Sequence, residues 1–135
     1  MFYEFRLTIP ANTPATAPVE ELVTLDSGRI VKGEIQLPRG CVGLVHVKVR
    51  REHHQLWPSS PDRDVAGDDA RIEWSEDLDF TEPPYTLTLE GWNEDDSYPH
   101  TVTFRFNLLP ASPPAAPAPP GPPASAIIET FSLEL

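Results

Sequence analysis

The sequence HTVTFRFNLL, residues 100–109, alternates between polar and apolar side chains. Its apolar residues fall at every second position: Val102, Phe104, Phe106 and Leu108. Successive side chains of a β-strand point to opposite faces, so a period of two is typical of a strand with one buried face. The stretch therefore predicts a strand that covers one side of a hydrophobic core.

The same period recurs along the chain between turn-forming residues. Alternating runs occupy residues 3–9, 19–25, 29–37, 41–52, 71–80 and 85–89. Within 29–37 the alternation places Val31, Gly33 and Ile35 on one side of the strand and Ile30 on the other. The turn at residues 38–40 predicts a hairpin between 29–37 and 41–52.

Two stretches between these runs break the alternation. Residues 53–69 are rich in turn-forming side chains and are predicted to form a large surface loop without regular elements. Residues 91–99 are predicted to form a turn-rich acidic link before the strand at 100–109.

About eight short strands, prolines at their junctions and no helical period predict an all-β fold. For strands of this number and length, a jelly-roll-like β-sandwich or barrel is the expected architecture. An immunoglobulin-like sandwich is the alternative, although the Cys…Trp…Cys framework of such domains is absent. A chain of 135 residues has room for one core, so residues 1–109 are predicted to form a single domain.

A proline-rich stretch follows this domain and separates it from a last apolar run. Residues 110–126 are predicted to form an extended linker or arm, because such a sequence favours polyproline II and lacks the backbone donors that a sheet needs. Residues 127–135 restore the strand pattern and are predicted to form a C-terminal strand. The long tether favours exchange of this strand with a neighbouring copy, and its return to its own sheet is the alternative. The residues expected to bind a partner are Pro113, Pro114, Pro117, Pro119, Pro120, Ile127, Ile128, Phe131, Leu133 and Leu135.

The chain is strongly acidic, with a formal net charge of -11. Affinity for nucleic acid comes mainly from Lys and Arg displacing counterions, so neither nucleic acid nor an anionic membrane is expected as a partner. No stretch reaches the roughly 18 apolar residues of a membrane helix. Glu4 and Arg6 stand where an export signal would have its apolar run, which predicts a protein made in the cytoplasm and not secreted.

No catalytic or metal-ligating pattern stands out, and we expect neither an enzyme nor a cofactor. Cys41 is the one cysteine and is expected to be a small buried residue rather than a nucleophile. The histidines at 46, 53, 54 and 100 form no closed zinc set. Carboxylates crowd residues 62–96 without the spacing of a calcium loop, so we expect solvated turns there, with a calcium site as the alternative.

Three tryptophans offer an alternative to a purely structural role. Trp74 lies within a strand pattern and is expected in the core, whereas Trp57 lies in a loop and Trp92 at a strand end, where exposure is expected. Exposed indole rings can face a ligand such as a sugar. The alternative function is therefore a carbohydrate- or receptor-binding β-sandwich that uses Trp57 and Trp92. A glycan-active enzyme with paired carboxylates has less support, because nothing singles out a pair.

Several segments together resemble small virion proteins of tailed bacteriophages. They are the strand series over residues 1–110, the loop Gln55-Leu56-Trp57-Pro58-Ser59, and residues 84–87, 91–93 and 100–102. The layout is similar to capsid decoration proteins of phages from hot environments, which are β-rich, sit as trimers on the outer shell and reach neighbouring subunits with extended arms. The resemblance does not assign a role to any individual residue of this sequence.

The resemblance implies a virion structural protein on the outer capsid surface, made in the host cytoplasm. It also implies a homo-oligomer, with a trimer favoured, that contacts other virion proteins such as a major capsid protein. Under the alternative function, the ligand-binding sandwich would belong to a phage tail or fibre.

Overall fold

The structure is a computed structural model that describes residues 1–110 as nine β-strands. The strands are β1 Phe2–Ile9, β2 Val19–Thr24, β3 Gly28–Leu37, β4 Val45–Arg51, β5 His54–Trp57, β6 Val65–Ala66, β7 Ala70–Phe80, β8 Thr86–Asn93 and β9 His100–Pro110. This part of the chain contains no helix, and the predicted all-β class is confirmed. The predicted arm and C-terminal strand lie outside the described residues.

Two antiparallel sheets pack face to face as a sandwich. Sheet 1 has the strand order β1-β9-β3-β7, and sheet 2 has the order β2-β8-β4-β5, with β6 paired to β4. Most consecutive strands lie in opposite sheets, so the chain winds around the core. This winding is that of a jelly roll. An immunoglobulin-like order is excluded, since its first two strands share one sheet.

The core lies between the inner faces of the two sheets. The alternation at residues 100–109 is confirmed, because Val102, Phe104, Phe106 and Leu108 of β9 are all buried. From sheet 2, Val45, Val47 and Val49 of β4 and Leu87 and Leu89 of β8 face them with no exposed surface. Burial of one such aliphatic side chain stabilises the fold by about 1.5–3 kcal/mol.

A β-bulge in β3 changes which of its side chains face the core. The pairing of β3 shifts between Ile30 and Lys32: against β9 Val31 is an extra residue, whereas against β7 two residues, Glu76 and Asp77, lie opposite Val31. An extra residue reverses the alternation beyond it. Ile30 and Ile35 are consequently both fully buried, and the prediction that they lie on opposite sides of the strand is wrong.

The predicted hairpin between residues 29–37 and 41–52 is also wrong. β3 pairs with β7 and β9 in sheet 1, whereas β4 pairs with β5, β6 and β8 in sheet 2. The turn between them carries the chain across the sandwich and uses Gly40 and Gly43 at φ values of 103° and 73°. Such positive φ values suit glycine. Cys41 lies in this crossing rather than in a strand, and it is buried as expected.

Two further boundaries differ from the sequence prediction. The stretch 53–69 holds the short strands β5 and β6, both paired with β4, so the prediction of a loop without regular elements is wrong there. β8 also runs to Asn93, inside the predicted acidic link.

The two long sides of the sandwich differ. On one side, β1 at the edge of sheet 1 packs closely against β2 and β8 of sheet 2. On the other side, no comparable backbone approach joins β7 to β5 within residues 1–110. We call the β1 side the closed side and the β7 side the open side.

Candidate binding surface

The open side holds a cleft between the two sheets, with a volume of about 310 Å³. We call it the tryptophan cleft. Its main lining residues are Trp57, Pro58, Val65, Ile72, Trp74 and Glu76. They come from the edge strands β5, β6 and β7 and from the start of the loop after β5. The cleft is mostly apolar because it is the unclosed margin of the hydrophobic core.

Trp57 forms the floor of this cleft. Its ring centroid lies 5.3 Å from that of Trp74 and 5.6 Å from that of Phe106 in the core. Its indole Nε1 donates a hydrogen bond of 3.0 Å to Glu76 Oε2, so the polar end of the buried ring has a partner. Trp57 is only 5% exposed, and the expectation that it is exposed is therefore wrong.

Trp74 lies half-buried beside Trp57 and bridges to β3. Its ring occupies the space where Gly33 has no side chain, and a Cβ on Gly33 would overlap it. The indole Nε1 of Trp74 is buried and has no hydrogen-bond partner within residues 1–110. A buried donor without an acceptor costs about 1–3 kcal/mol, so this nitrogen is a position where an acceptor from outside would stabilise the protein.

The backbone edge of β7 runs along the same cleft. β7 has eleven residues and is the last strand of sheet 1, so its outer edge carries no strand partner in the described chain. An unpaired edge presents N–H and C=O groups that can pair with another strand. The edge and the apolar cleft together form a surface suited to an extended, partly apolar peptide.

Trp92 lies elsewhere, half-buried on the outer face of sheet 2. His46 sits directly opposite it on β4, with the two rings stacked and their centroids 5.1 Å apart. The ammonium of Lys48 is 5.8 Å from the same ring centroid. His46 Nδ1 lies 2.6 Å from Asp64 Oδ1. The structure thus places Trp57 and Trp92 on opposite faces of sheet 2 and does not bring them together as one ligand platform.

The outer face of sheet 1 is polar and holds a groove of about 280 Å³. Three cations line it, and each is paired with a carboxylate. Arg71 and Arg105 both contact the buried Glu34, and Lys32 lies 3.6 Å from Glu73. These pairs neutralise the charge that an anionic ligand would need.

The Cys41 thiol is poorly reactive in this environment. Burial raises the pKa of its thiol from 9.0 to about 11, and the carboxylates of Asp68 and Asp95 add to the increase. The thiol is therefore protonated at neutral pH, whereas a nucleophilic cysteine needs a thiolate. Asp68 itself accepts hydrogen bonds from the backbone N–H groups of Val42 and Gly40, which lower its pKa.

Other acidic residues also hold turns. The hydroxyl and backbone N–H of Thr81 lower the pKa of Asp79. The His100 ring, 2.8 Å away, and backbone N–H groups lower the pKa of Asp95. Among the described residues, no group of three or more His, Cys, Asp or Glu side chains is placed to hold a metal ion.

No protein-family model matches the chain, and no curated protein matches it. No helix in residues 1–110 is long and apolar enough to cross a membrane.

The tryptophan cleft was not anticipated from the sequence. In the sequence, Ile72 and Trp74 are only part of a strand pattern, and Trp57 is part of a predicted loop. One signal was present, since Gly33 lies within an alternating strand, and a strand glycine often marks a close approach by another group. Which group approaches depends on the pairing of β3 with β7, which the local pattern does not encode.

Proposed function

We propose that this protein is a structural, non-enzymatic virion subunit of the capsid decoration type, which assembles with copies of itself and binds the particle through its C-terminal arm. The observation that carries the proposal is the pairing of a jelly-roll domain, which has an open strand edge, with a proline-rich stretch and a last apolar run in the sequence after Pro110. Jelly rolls occur in viral capsid proteins and in lectins, so the arm, and not the fold, favours the first class.

The physical basis of the proposal is strand addition. A strand that joins a neighbour's sheet gains backbone hydrogen bonds, and alternate apolar side chains set its register. A stiff proline-rich tether limits the entropy lost on docking. Many copies on a closed shell add modest contacts into a large avidity. A net charge of -11 opposes aggregation of free copies and stray binding to nucleic acid.

The first experiment measures native mass by light scattering over a dilution series. The full chain should form a closed oligomer, with a trimer favoured. Phe131→Asp with Leu133→Asp places two charges on the apolar side of the last run and should shift the mass toward the monomer. The matched control, Thr130→Asp with Ser132→Asp, adds the same charges on the other side and should leave the oligomer intact. Equal masses for all three proteins would contradict the proposal.

A second experiment tests whether the protein binds the virion. Antibody raised against the full chain should label the outer surface of intact virions, and the Phe131→Asp, Leu133→Asp variant should not bind virions stripped of this protein. Labelling confined to the tail would favour the alternative function of a tail or fibre module.

That alternative, a carbohydrate- or receptor-binding sandwich, rests on Trp92. The ring is half-buried on an outer sheet face, which is the observation in its favour, but His46 and Lys48 already pack against it. Glycan binding that is lost in Trp92→Ala, with unchanged thermal unfolding, would support the alternative.

A further inference from the structure

We propose that the outer edge of β7 and the tryptophan cleft form the acceptor site for residues 127–135 of a second copy of this chain. The inference rests on the proposed function, because it assumes that the arm is exchanged between copies, and it names where the arm binds. Four observations carry it: the lengths of the strand edges, the apolar cleft, an unsatisfied donor, and the position at which β9 ends.

The first observation is that β7 offers the best free edge. It has eleven residues, against six for β2, four for β5 and two for β6. β1 is also a long edge strand, but it lies on the closed side, where β2 and β8 pack against it. β7 is therefore the described edge with the most room for a strand drawn from residues 127–135, and β1, with eight residues, offers less.

The second observation is the apolar cleft beside this edge. Directly opposite residues of two paired strands point to the same side of a sheet. The inward side chains of β7 include Ile72, Trp74 and Leu78, which pack against the core. Ile127, Phe131, Leu133 and Leu135 share one side of the last run. A strand added to β7 would place these side chains over the margin of the core, where the described chain leaves the two sheets unjoined.

The third observation is the buried Nε1–H of Trp74, which has no acceptor within residues 1–110. Glu129 is the one polar residue on the apolar side of the last run. Antiparallel pairing with Glu129 opposite Trp74 would place a carboxylate beside the Trp74 ring at the margin of the core, as Glu76 lies beside Trp57. The same register sets Phe131 opposite Ile72 and Leu133 opposite Ala70.

The fourth observation favours a second copy over the chain's own edge. β9 ends with Pro110 opposite Gly28, and Gly28 lies opposite Phe80 at the end of β7. A new strand beyond β7 would lie three strand spacings from β9, about 14 Å across the sheet. In the register above, Ile127 would lie opposite Glu76, four residues or about 14 Å along β7 from Phe80, so Pro110 and the start of this strand would be about 20 Å apart. At the rise of polyproline II, which the proline-rich sequence favours, residues 111–126 would span roughly 50 Å. A tether of that length exceeds the distance to its own edge and suits the edge of a neighbour.

Cross-linking between two different copies tests the acceptor directly. Ser75 is exposed on β7, and in the register above Ile128 of the second copy would lie directly opposite it. A chain carrying Ser75→Cys and a tagged chain carrying Ile128→Cys are co-expressed and treated with a short bis-maleimide. The matched control replaces Ser75→Cys with Thr8→Cys, an exposed position on the other edge strand of sheet 1. We expect a covalent heterodimer with Ser75→Cys and at least a tenfold lower yield with Thr8→Cys.

The outcomes separate the inference from the proposed function. Cross-linking at Thr8→Cys instead, or at neither position while Phe131→Asp with Leu133→Asp still weakens assembly, overturns the β7 site and leaves arm exchange standing. An intrachain cross-link in the double variant Ser75→Cys, Ile128→Cys, with none between copies, overturns exchange at β7 in favour of self-docking. Native mass that is insensitive to the arm variants removes both proposals.

A spectroscopic measurement needs no new cysteine. The chain has three tryptophans, so its ¹H–¹⁵N spectrum contains three indole signals that single substitutions assign. The Trp74 signal should differ between the full chain and its Phe131→Asp, Leu133→Asp variant, because its ring loses the strand that covers it. The Trp92 signal, from the outer face of sheet 2, should not move. A Trp74 signal that is identical in both proteins would overturn the inference.

Discussion

Gly33 shows at the scale of one residue how the tryptophan cleft is made. Glycine in a strand interior normally weakens the strand, so Gly33→Ala would ordinarily be neutral or stabilising. Here a Cβ would overlap the Trp74 ring, and overpacking of this kind costs about 1–3 kcal/mol. We expect Gly33→Ala to lower the free energy of unfolding by that amount in urea titrations. Ser75→Ala, on the exposed side of β7, is the control and should change it by less than about 0.5 kcal/mol.

Cys41 gives a second prediction at this scale. Because burial raises the pKa of its thiol to about 11, the native protein should react with a disulfide reagent at pH 8 at least a hundredfold more slowly than the urea-unfolded chain. The Ser75→Cys variant supplies an exposed thiol as the control and should react at once. Equal rates for Cys41 in folded and unfolded protein would show that the crossing between the sheets opens readily.

At the scale of elements, three carboxylates hold turns and make stability depend on pH. Asp68, Asp79 and Asp95 have pKa values below the usual 3.8 because hydrogen bonds favour their ionised forms. A lowered pKa stabilises the fold above pH 3.8 and loses that contribution as the pH falls through the folded value. The free energy of unfolding should therefore fall below about pH 4. Replacing all three by Asn should reduce this fall in the free energy of unfolding, which urea titrations at a series of pH values measure.

The elements also show how far the sequence leads. The two-residue period located β1, β2, β7 and β9 correctly, because one face of each strand is buried. It misassigned the faces of β3, since a single residue, Val31, that is extra relative to β9 reverses the alternation. The hairpin of β3 with β4 failed for a different reason. A turn with glycine serves equally well to reverse the chain within one sheet or to carry it into the other sheet.

The candidate site was harder to predict than the fold. The turn-forming neighbours of Trp57 predict an exposed side chain. Its ring instead packs on Phe106, some fifty residues away in the chain. Contacts of this separation arise from the winding of the strands and leave no trace in local periodicity. Trp92, which was expected to be exposed at a strand end, lies half-buried within β8 on the outer face of sheet 2. Its stacking on His46 depends on the pairing of β4 with β8.

At the scale of the whole molecule, residues 1–110 already hold a continuous buried core. Deleting residues 111–135 should therefore leave a folded β-domain, because no core residue of the described chain is removed. The shortened chain should, however, lose the dependence of its melting temperature on protein concentration. A partner that binds only the native state raises the unfolding temperature by mass action, so the melting temperature of the full chain should rise with protein concentration, by several degrees over a hundredfold range.

The shortened chain should melt at one temperature across the same range, at or slightly below the value of the most dilute full chain. Circular dichroism at 215 nm and light scattering on the same samples measure both properties. If the shortened chain is unfolded, residues 127–135 belong to the core of their own domain, because exchange between copies leaves each isolated domain able to fold. If it is folded and both chains melt independently of concentration, a second copy does not close the open edge of β7, and exchange of residues 127–135 between copies is contradicted.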